Sequence, residues 1–379
     1  MKQVSFLHMA DLHLDSAFSS LGDESKAKIR RSELEDILDK ICKKIQAENI
    51  DLLLISGDFY EAAGIRSSTM YKVKNLFSEL YKTEIIILPG NHDPLKENSY
   101  YDSYEWSSNV HILESSDRVL YLEKYNTCIY NIGAKGSAEQ DYSNILNKKA
   151  GGDRFDILLF HGTVDMPFEE ENYNPMSSDK LLALGMDYIA LGHMHGFFRN
   201  ENGKTVMVNP GSPEPLGFDE EGVHGYVQGR IFISGDKSKK VETHFVEASA
   251  RQYCNYEINI SDCASDIEVI DRIRSEQIKL LPRDLYSISL KGFIPREYVP
   301  AIKSITEAFS QDCFFIKIKN QTAPQSDYRQ YLEDPGVKGE FVRRILDMYE
   351  GEISEERRRT LFMALQYGLQ AIENGRVDE

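Results

Sequence analysis

The stretch that decides the fold runs from residue 52 to residue 58: Leu52-Leu53-Leu54-Ile55-Ser56-Gly57-Asp58. Its apolar residues do not alternate with polar ones, which is typical of a strand covered on both faces. Strands of the same kind are predicted over residues 4–8, 85–88, 157–160, 189–191 and 206–208. Residues 34–45 and 70–80 repeat apolar side chains at helical spacing. Strands interleaved with amphipathic helices predict a layered α/β domain, with β-sheets flanked by helices.

Five polar motifs follow five of these strands. They are Asp11-Leu12-His13, Gly57-Asp58, Gly90-Asn91-His92-Asp93, His161-Gly162 and Gly192-His193-Met194-His195. In open α/β sheets the functional crevice lies beyond the carboxyl ends of the strands, so the five motifs are expected to converge. One such motif alone is usually a turn or a structural histidine. All five together, each at a strand end, predict a metal site.

The candidate metal ligands are Asp11, His13, Asp58, Asn91, His161, His193 and His195. Imidazole and carboxylate ligands without thiolate favour manganese, iron or zinc, and magnesium is a further candidate. Seven groups are too many for one tetrahedral ion, and they suit two divalent ions that share a carboxylate. His92 need not bind metal. The remaining histidines lack such a context and are predicted to be structural: His8, His111, His224 and His244.

The pattern of the chain changes near residue 250. Residues 253–320 alternate predicted strands and helices in the order β-α-β-α-β, which indicates a small α+β domain. Two further amphipathic helices are predicted after a turn-rich linker, beginning near Val337 and Glu355. We therefore predict three parts: a catalytic domain over 1–248, a small capping domain over 249–325, and a helical tail over 326–379.

Composition limits the function. The net charge of −17 argues against a free-standing nucleic-acid binder, which usually neutralises phosphates with excess Lys and Arg. Either the substrate is not a polynucleotide, or bound cations and a partner supply the positive field. No apolar run approaches the ~18 residues of a membrane span, and His8 and Asp11 interrupt the N-terminal segment too early for a signal peptide. Five scattered cysteines suit a reducing compartment, so a soluble cytoplasmic protein is expected.

The five motifs together resemble those of the calcineurin-like metallophosphoesterase family, over residues 1 to about 215. The segments Ala10–Asp15 and Asn209–Glu214 narrow the resemblance to SbcD/YhaO-type DNA repair exonucleases, which are Mre-type nucleases. The resemblance implies a first ion held by Asp11, His13, Asp58 and His195. It implies a second held by Asp58, Asn91, His161 and His193, with Asp58 bridging. His92 would contact or protonate the scissile phosphate, and Asp93 would orient His92.

The resemblance also implies a function. Family members are manganese-dependent DNA nucleases of double-strand-break repair that work with an SMC-like, SbcC-type ATPase, which the C-terminal helices would bind, and they can form homodimers. Glu61 departs from archaeal relatives, which carry a histidine there linked to exonuclease action. Two alternatives remain: a phosphatase or phosphodiesterase for a small molecule or phosphoprotein, and an interaction subunit with a vestigial metal centre. The complete ligand set argues against the latter.

Overall fold

The computed structural model describes residues 2–113, 119–132, 152–166, 173–261, 263–276 and 278–374. The chain divides into two compact units, Met1–Gln252 and Tyr253–Glu379. None of the described helices is both long enough and apolar enough to cross a membrane.

The first unit contains twelve described strands. They are β1 (Gln3–Met9), β2 (Leu52–Ser56), β3 (Glu84–Leu88), β4 (Val110–Ile112), β5 (Leu120–Leu122), β6 (Thr127–Ile132), β7 (Phe155–His161), β8 (Tyr188–Gly192), β9 (Phe198–Glu201), β10 (Val206–Asn209), β11 (Gly225–Ile233) and β12 (Lys239–Glu247). One six-stranded sheet has the order β12-β11-β1-β2-β3-β4, and the other has the order β5-β6-β7-β8-β10-β9. Strands β1 to β4 pair in parallel, as do β6, β7, β8 and β10.

The two sheets pack face to face. Phe6 and Leu54 of the first sheet share one buried core with Ile157 and Leu159 of the second. The intervening residue Leu158 lies on the opposite face of β7, in a second core. Because both faces of these strands are covered, their sequences are uniformly apolar. The prediction of a layered α/β domain is confirmed.

Helices of the first unit are α1 (Glu24–Glu48), α2 (Ser67–Glu79), α3 (Tyr100–Ser103) and α4 (Ser178–Ala183). The Asp23 carboxylate caps α1 by accepting hydrogen bonds from the backbone amides of Ser25 and Lys26. Leu181 of α4 packs in the core on the outer face of the second sheet. Helix α1 ends at Asn49, whose φ of 51° is the left-handed conformation that commonly stops a helix.

The second unit contains β13 (Tyr253–Asn259), α5 (Asp266–Ser275), β14 (Leu285–Lys291), β15 (Phe293–Ile294), α6 (Ile302–Glu307), β16 (Phe315–Asn320), β17 (Ala323–Pro324), α7 (Val337–Gly351) and α8 (Glu355–Asn374). Strands β13, β14 and β16 form a parallel three-stranded sheet in that order, and β15 pairs with β17. The order of elements agrees with the predicted β-α-β-α-β series, and the helical tail is confirmed.

Helices α7 and α8 share a small core built on Val342, Leu365 and Leu369, against which Phe341 and Ile345 pack. Docking onto a partner is one interpretation of Phe341, Ile345 and Leu365 from the sequence. The structure instead uses these residues inside the chain, because two amphipathic helices in contact bury their apolar stripes against each other.

Candidate metal centre

The candidate site lies where the carboxyl ends of five strands meet. Strands β1, β2 and β3 are neighbours in the first sheet, and β7 and β8 are neighbours in the second. Since the two sheets pack face to face, the loops that follow these strands come together from both layers. The fold thus brings the five predicted motifs to one place.

Hydrogen bonds connect these loops within and between the sheets. The backbone amide of His193, after β8, donates to the Asp11 carboxylate, after β1, at 3.0 Å. The Nδ1 atom of His161, at the end of β7, donates to the Ser56 carbonyl of β2 at 2.7 Å. The amide of Asp11 donates to the Gly57 carbonyl at 3.1 Å. The site is therefore held by bonds that cross from one layer to the other.

Several candidate ligands have a left-handed backbone. The φ angles are 51° at Asp11, 46° at His13, 48° at Asp58 and 94° at His193. Such conformations are uncommon for residues other than glycine, and they concentrate at functional sites where the surrounding structure maintains them. Gly57 has φ 90°, and a Cβ there would lie 2.1 Å from the His161 ring. A residue without a side chain is required at that position.

Potential ligand atoms gather in three adjoining groups. They are Asp11, His13 and His195; His13, Asp58 and His92; and Asp58, His161 and His193. Within each group the atoms lie within 4.8 Å of one another. Asp58 and His13 each belong to two groups, so neighbouring ion positions would share ligands. This overlap suits a centre with more than one cation.

Three imidazoles are anchored through Nδ1. His13 bonds to Glu61 at 2.6 Å, His161 to the Ser56 carbonyl at 2.7 Å, and His195 to Glu220 at 2.7 Å. A histidine that donates one ring N–H to a carboxylate or carbonyl presents the other nitrogen as a metal ligand. The Nε2 atom of His13 is buried and has no hydrogen-bond partner among the described residues. An orphaned buried nitrogen is costly, and a cation would satisfy it, so these residues fit a metal.

The charge balance of the site favours a cation. Burial lowers the pKa of His195, but the hydrogen bond to Glu220 and the nearby Asp11 raise it to about 9. Burial raises the pKa of Asp58, but the hydrogen bond and charge of His161 hold it below its ordinary value. Burial and the charge of His161 lower the pKa of His193 to about 4, so its ring is neutral near pH 7. Carboxylates in this site thus stabilise positive charge on neighbouring groups, as they would on a metal ion.

The third motif has a different arrangement from the expected one. The Oδ1 atom of Asn91 lies 3.1 Å from Nε2 of His161. The half-exposed His92 ring bonds through Nδ1 to Glu61 at 3.0 Å. Asp93 was expected to orient His92, but its buried carboxylate accepts hydrogen bonds from the amides of Asp58, Phe59 and Gly90 and from the Tyr101 hydroxyl. Asp93 therefore supports the loop backbone, while Glu61 holds the His92 ring.

Sequence reasoning missed the roles of Glu61 and Glu220. Glu61 lies three residues after Asp58, and the sequence marks it only as a departure from archaeal relatives. In the structure it bonds to two histidines, His13 and His92. Glu220 belongs to no motif and binds His195 across 25 residues of sequence. The signal available for Glu61 was its place in the loop after β2, beside a candidate ligand.

The Asn209–Glu214 segment supports the loop of the fifth motif. Its Asn209 side chain donates to the carbonyls of Met194 and Gly196, at 2.5 and 2.7 Å. The amide of Ser212 donates to the carbonyl of His195 at 3.1 Å. These bonds hold the backbone on both sides of the candidate ligand His195, so the segment acts on the site through the loop conformation.

A cavity of about 620 Å³ opens beside the site, and His13, His92 and His195 line it. Its other charged lining residues are carboxylates: Asp15, Glu61, Asp219 and Glu220. A phosphate-bearing substrate would be repelled by this lining unless cations bind first, so the cavity depends on bound metal to admit an anion.

A layered α/β fold that gathers imidazoles and carboxylates from five strand ends into adjoining cation-binding groups defines a metal-dependent phosphoesterase. Comparison with known proteins agrees. The sequence profile of the family described as calcineurin-like phosphoesterase matches residues 4–197, and the chain belongs to this family.

Several curated proteins are similar to the chain. The metallophosphoesterase YhaO of Bacillus subtilis is 28% identical over 235 residues, which cover 60% of this chain and 57% of that protein. The DNA double-strand break repair protein Mre11 of Methanopyrus kandleri is 26% identical over 304 residues, which cover 73% of this chain and 64% of the relative. The nuclease SbcCD of Escherichia coli has a subunit that is 22% identical over 409 residues, which cover 94% of this chain and 96% of the relative. The matches to YhaO and Mre11 thus span about three fifths of those proteins.

Proposed function

We propose that the chain is a two-metal DNA nuclease, the exonuclease subunit of a double-strand-break repair complex. The observation that carries the proposal is the position of Asp58. Its carboxylate belongs to one ligand group with His13 and His92 and to another with His161 and His193. A carboxylate shared by two ion positions is the arrangement that two-metal phosphoester hydrolysis uses. The DNA substrate is suggested by relatives described as a nuclease and as a repair protein.

In the proposed centre, Asp11, His13, Asp58 and His195 would hold one ion, and Asp58, Asn91, His161 and His193 would hold the other. A bound pair of divalent ions supplies Lewis acidity, which lowers the pKa of a water molecule and polarises the phosphoryl group. We propose manganese, because imidazole and carboxylate without thiolate suit that ion. The outer partners Glu61, Glu220 and the Ser56 carbonyl keep the rings oriented, so the ligands are in place before an ion arrives.

His92 is proposed as the proton donor to the leaving oxygen. Its ring is half exposed beside the cavity, where a substrate phosphate can reach it. The hydrogen bond to Glu61 raises the pKa of His92 above its ordinary value, against a smaller opposing effect of burial. A larger fraction of the ring is therefore protonated near neutral pH, which a general acid requires. Asp93 is proposed as a positioning residue that fixes the loop between Asp58 and His92.

The test is hydrolysis of end-labelled double- and single-stranded DNA by the purified chain in manganese, magnesium or chelator. Cleavage in manganese that chelator abolishes supports the proposal. Cleavage that persists in chelator contradicts a metal-activated water. Label placed at the 5′ or the 3′ end separates exonuclease from endonuclease products, a balance that Glu61 bears on because it occupies the position of the archaeal histidine.

A second candidate is a metallophosphatase or phosphodiesterase for a small molecule or phosphoprotein. Two observations favour it: the net charge of −17 and the carboxylate lining of the cavity. A small substrate approaches fewer of these carboxylates than a DNA strand does. Turnover of p-nitrophenyl phosphate together with inactivity on every DNA form would select this alternative, whereas hydrolysis of DNA and of the diester bis(p-nitrophenyl) phosphate selects the nuclease.

We also propose that α7 and α8 bind an SMC-like ATPase of the SbcC type. The relative from Escherichia coli is described as one subunit of the nuclease SbcCD, and its match covers 94% of this chain. In this region Val337, Met348 and Ile353 are 78%, 58% and 94% exposed. Exposed apolar side chains near one another in sequence are characteristic of interaction surfaces. The proposed division remains a nuclease domain over 1–248, a DNA-recognition cap over 249–325 and a partner-binding tail over 326–379; homodimer formation is a further prediction, which analytical ultracentrifugation tests.

A further inference from the structure

A groove of about 820 Å³ lies within the second unit, between the segments around Pro295 and Gln325 and the two C-terminal helices. We call it the arginine groove. Its lining includes four arginines and three aromatic residues: Arg296, Arg329, Arg358, Arg359, Tyr328, Tyr349 and Phe362. Glu297 and Asp327 are the carboxylates of the lining. The groove therefore concentrates positive charge in a chain that has 44 basic and 61 acidic residues.

The arginines of the groove differ in their partners from arginines elsewhere. Carboxylates hold many of the others, as in the pairs Arg66–Asp15, Arg230–Glu242 and Arg344–Glu340. Arg296, Arg329 and Arg358 form no ion pair with a carboxylate in the part of the chain that the structure describes. In an acidic protein, unpaired guanidinium groups that converge on one concavity indicate a site for an external anion.

Two of these side chains are held in place without losing their charge. The Nε atom of Arg296 donates to the Gln325 carbonyl at 3.0 Å, and that of Arg358 donates to the Glu352 carbonyl at 2.6 Å. The Arg358 guanidinium lies 5.7 Å from the centre of the Tyr349 ring. Each Nε bond orients its guanidinium group and leaves the terminal nitrogens, which form bidentate contacts with phosphate oxygens.

We propose that the arginine groove binds the phosphate-bearing terminal nucleotide of a single DNA strand, or a free nucleotide of the same chemistry. The guanidinium groups would take the phosphate, and the aromatic walls would stack against the base, as single-strand binding sites do. The volume lies within the roughly 300–1,000 Å³ of small-ligand sites. A docked helix would instead need an apolar stripe in the groove. The choice of a nucleotide over another phosphate compound rests on the proposed nuclease function.

The experiment measures binding of the full chain in chelator to tetrathymidylate that carries a 3′ fluorophore, with and without a 5′ phosphate, by fluorescence anisotropy. We expect tighter binding with the phosphate, and a loss of about tenfold or more in affinity for Arg329→Glu. The matched control is Arg344→Glu, which makes the same charge change at an exposed arginine that is already paired with Glu340. Tyr349→Ala should weaken the tetranucleotide more than it weakens inorganic phosphate used as a competitor.

Competition by thymidine monophosphate at similar concentration identifies a free-nucleotide site, and competition by the tetranucleotide alone identifies a strand-end site; both support the proposal. Equal binding with and without the 5′ phosphate overturns it. An equal loss in Arg344→Glu also overturns it, because the effect is then one of overall charge. Arg296→Gln is a second, milder variant should Arg329→Glu misfold. Since chelator silences the metal centre, failure of this proposal is distinguishable from failure of the nuclease function.

Discussion

The metal centre of the first unit and the C-terminal helices of the second unit invert the usual distribution of side chains in opposite ways. In the metal centre, polar side chains are buried: Asp11, Asp58 and His161 are at most 2% exposed. In the helices, apolar side chains are exposed, as at Met348 and Ile353. A buried polar group and an exposed apolar group are both informative, because folding alone favours neither. The first case indicates chemistry, and the second indicates a partner.

The two regions also differ in how they are supported. Each anchored imidazole of the metal centre has a named partner, such as Glu61 for His13 and Glu220 for His195. The exposed part of the helical tail has a solvated surface, with Arg344 paired to Glu340 one helical turn away. Surface pairs of this kind contribute about 0–1 kcal/mol to stability. Substitutions in the metal centre should therefore change catalysis strongly, while substitutions on the tail should leave it unchanged.

The largest effect is expected for Asp58→Ala. This change removes the carboxylate common to two ligand groups, so both ion positions should weaken together. Activity should fall by more than the roughly 10–100-fold that loss of an outer-shell partner costs. Metal content by plasma mass spectrometry should fall with it. The control is Asp187→Ala, which removes a buried carboxylate bound to Lys239; if that variant loses as much metal, the Asp58 effect is only a loss of fold.

His92→Ala should separate catalysis from metal binding. We expect kcat on DNA to fall by roughly 10²–10⁴-fold, the usual scale for a positioned proton donor, while metal content stays at the wild-type level. His111→Ala provides the control, since His111 pairs with Glu84 away from the site. Should metal content fall in parallel with kcat, His92 is a ligand and its assignment as proton donor is incorrect.

Glu61→Gln should have a smaller and selective effect. An amide can accept a hydrogen bond from His13 or from His92, but it presents an NH₂ group to the other ring. We expect about 10–100-fold slower cleavage of DNA. Hydrolysis of bis(p-nitrophenyl) phosphate should fall much less, because p-nitrophenolate departs without a proton donor. The matched control is Glu84→Gln, a glutamate that also binds a histidine.

An equal loss on both substrates would contradict a role of Glu61 in placing the proton donor. The change would then act through the ligand His13, and metal content should fall as well. Unchanged cleavage of both substrates would show that neither hydrogen bond matters for turnover.

The smallest effect on catalysis is expected for Met348→Glu combined with Ile353→Glu. Both side chains are exposed, so the fold, metal content and kcat on short DNA should not change. Co-purification with an SMC-like ATPase should be lost, because charge would be placed in an apolar interface. Retention of the ATPase would place its docking site elsewhere. Leu365→Ala is the opposite control: this residue is 1% exposed, and its loss should cost about 2–5 kcal/mol in the free energy of unfolding.

Point substitutions test the tail better than deletion does. Gln366 of α8 hydrogen-bonds to the backbone of Ser326, and Tyr367 packs its ring 4.9 Å from that of Phe293. Removal of residues after Gln325 would uncover these contacts and destabilise the second unit, whatever its effect on a partner.

The strands and the metal-ligand candidates could be predicted from the sequence because both depend on local pattern. The predicted strand over 157–160 lies within Phe155–His161, and the polar residue follows it as expected. The pairing of strands into two sheets could not be predicted. Strands β2 and β7 are both uniformly buried, yet they belong to different sheets. Burial on both faces gives the same apolar composition in either sheet, so sequence pattern does not distinguish them.

What the sequence by itself determined is the layered α/β class, the five strand-end motifs and the family. Only the tertiary structure decided which groups orient the ligands. Glu61 meets His13 across 48 residues, and Glu220 meets His195 across 25. The arginine groove likewise combines residues from 261 to 362. Local periodicity reports how a segment is buried, whereas a hydrogen bond between distant segments depends on chain folding, which a residue's neighbours in sequence do not record.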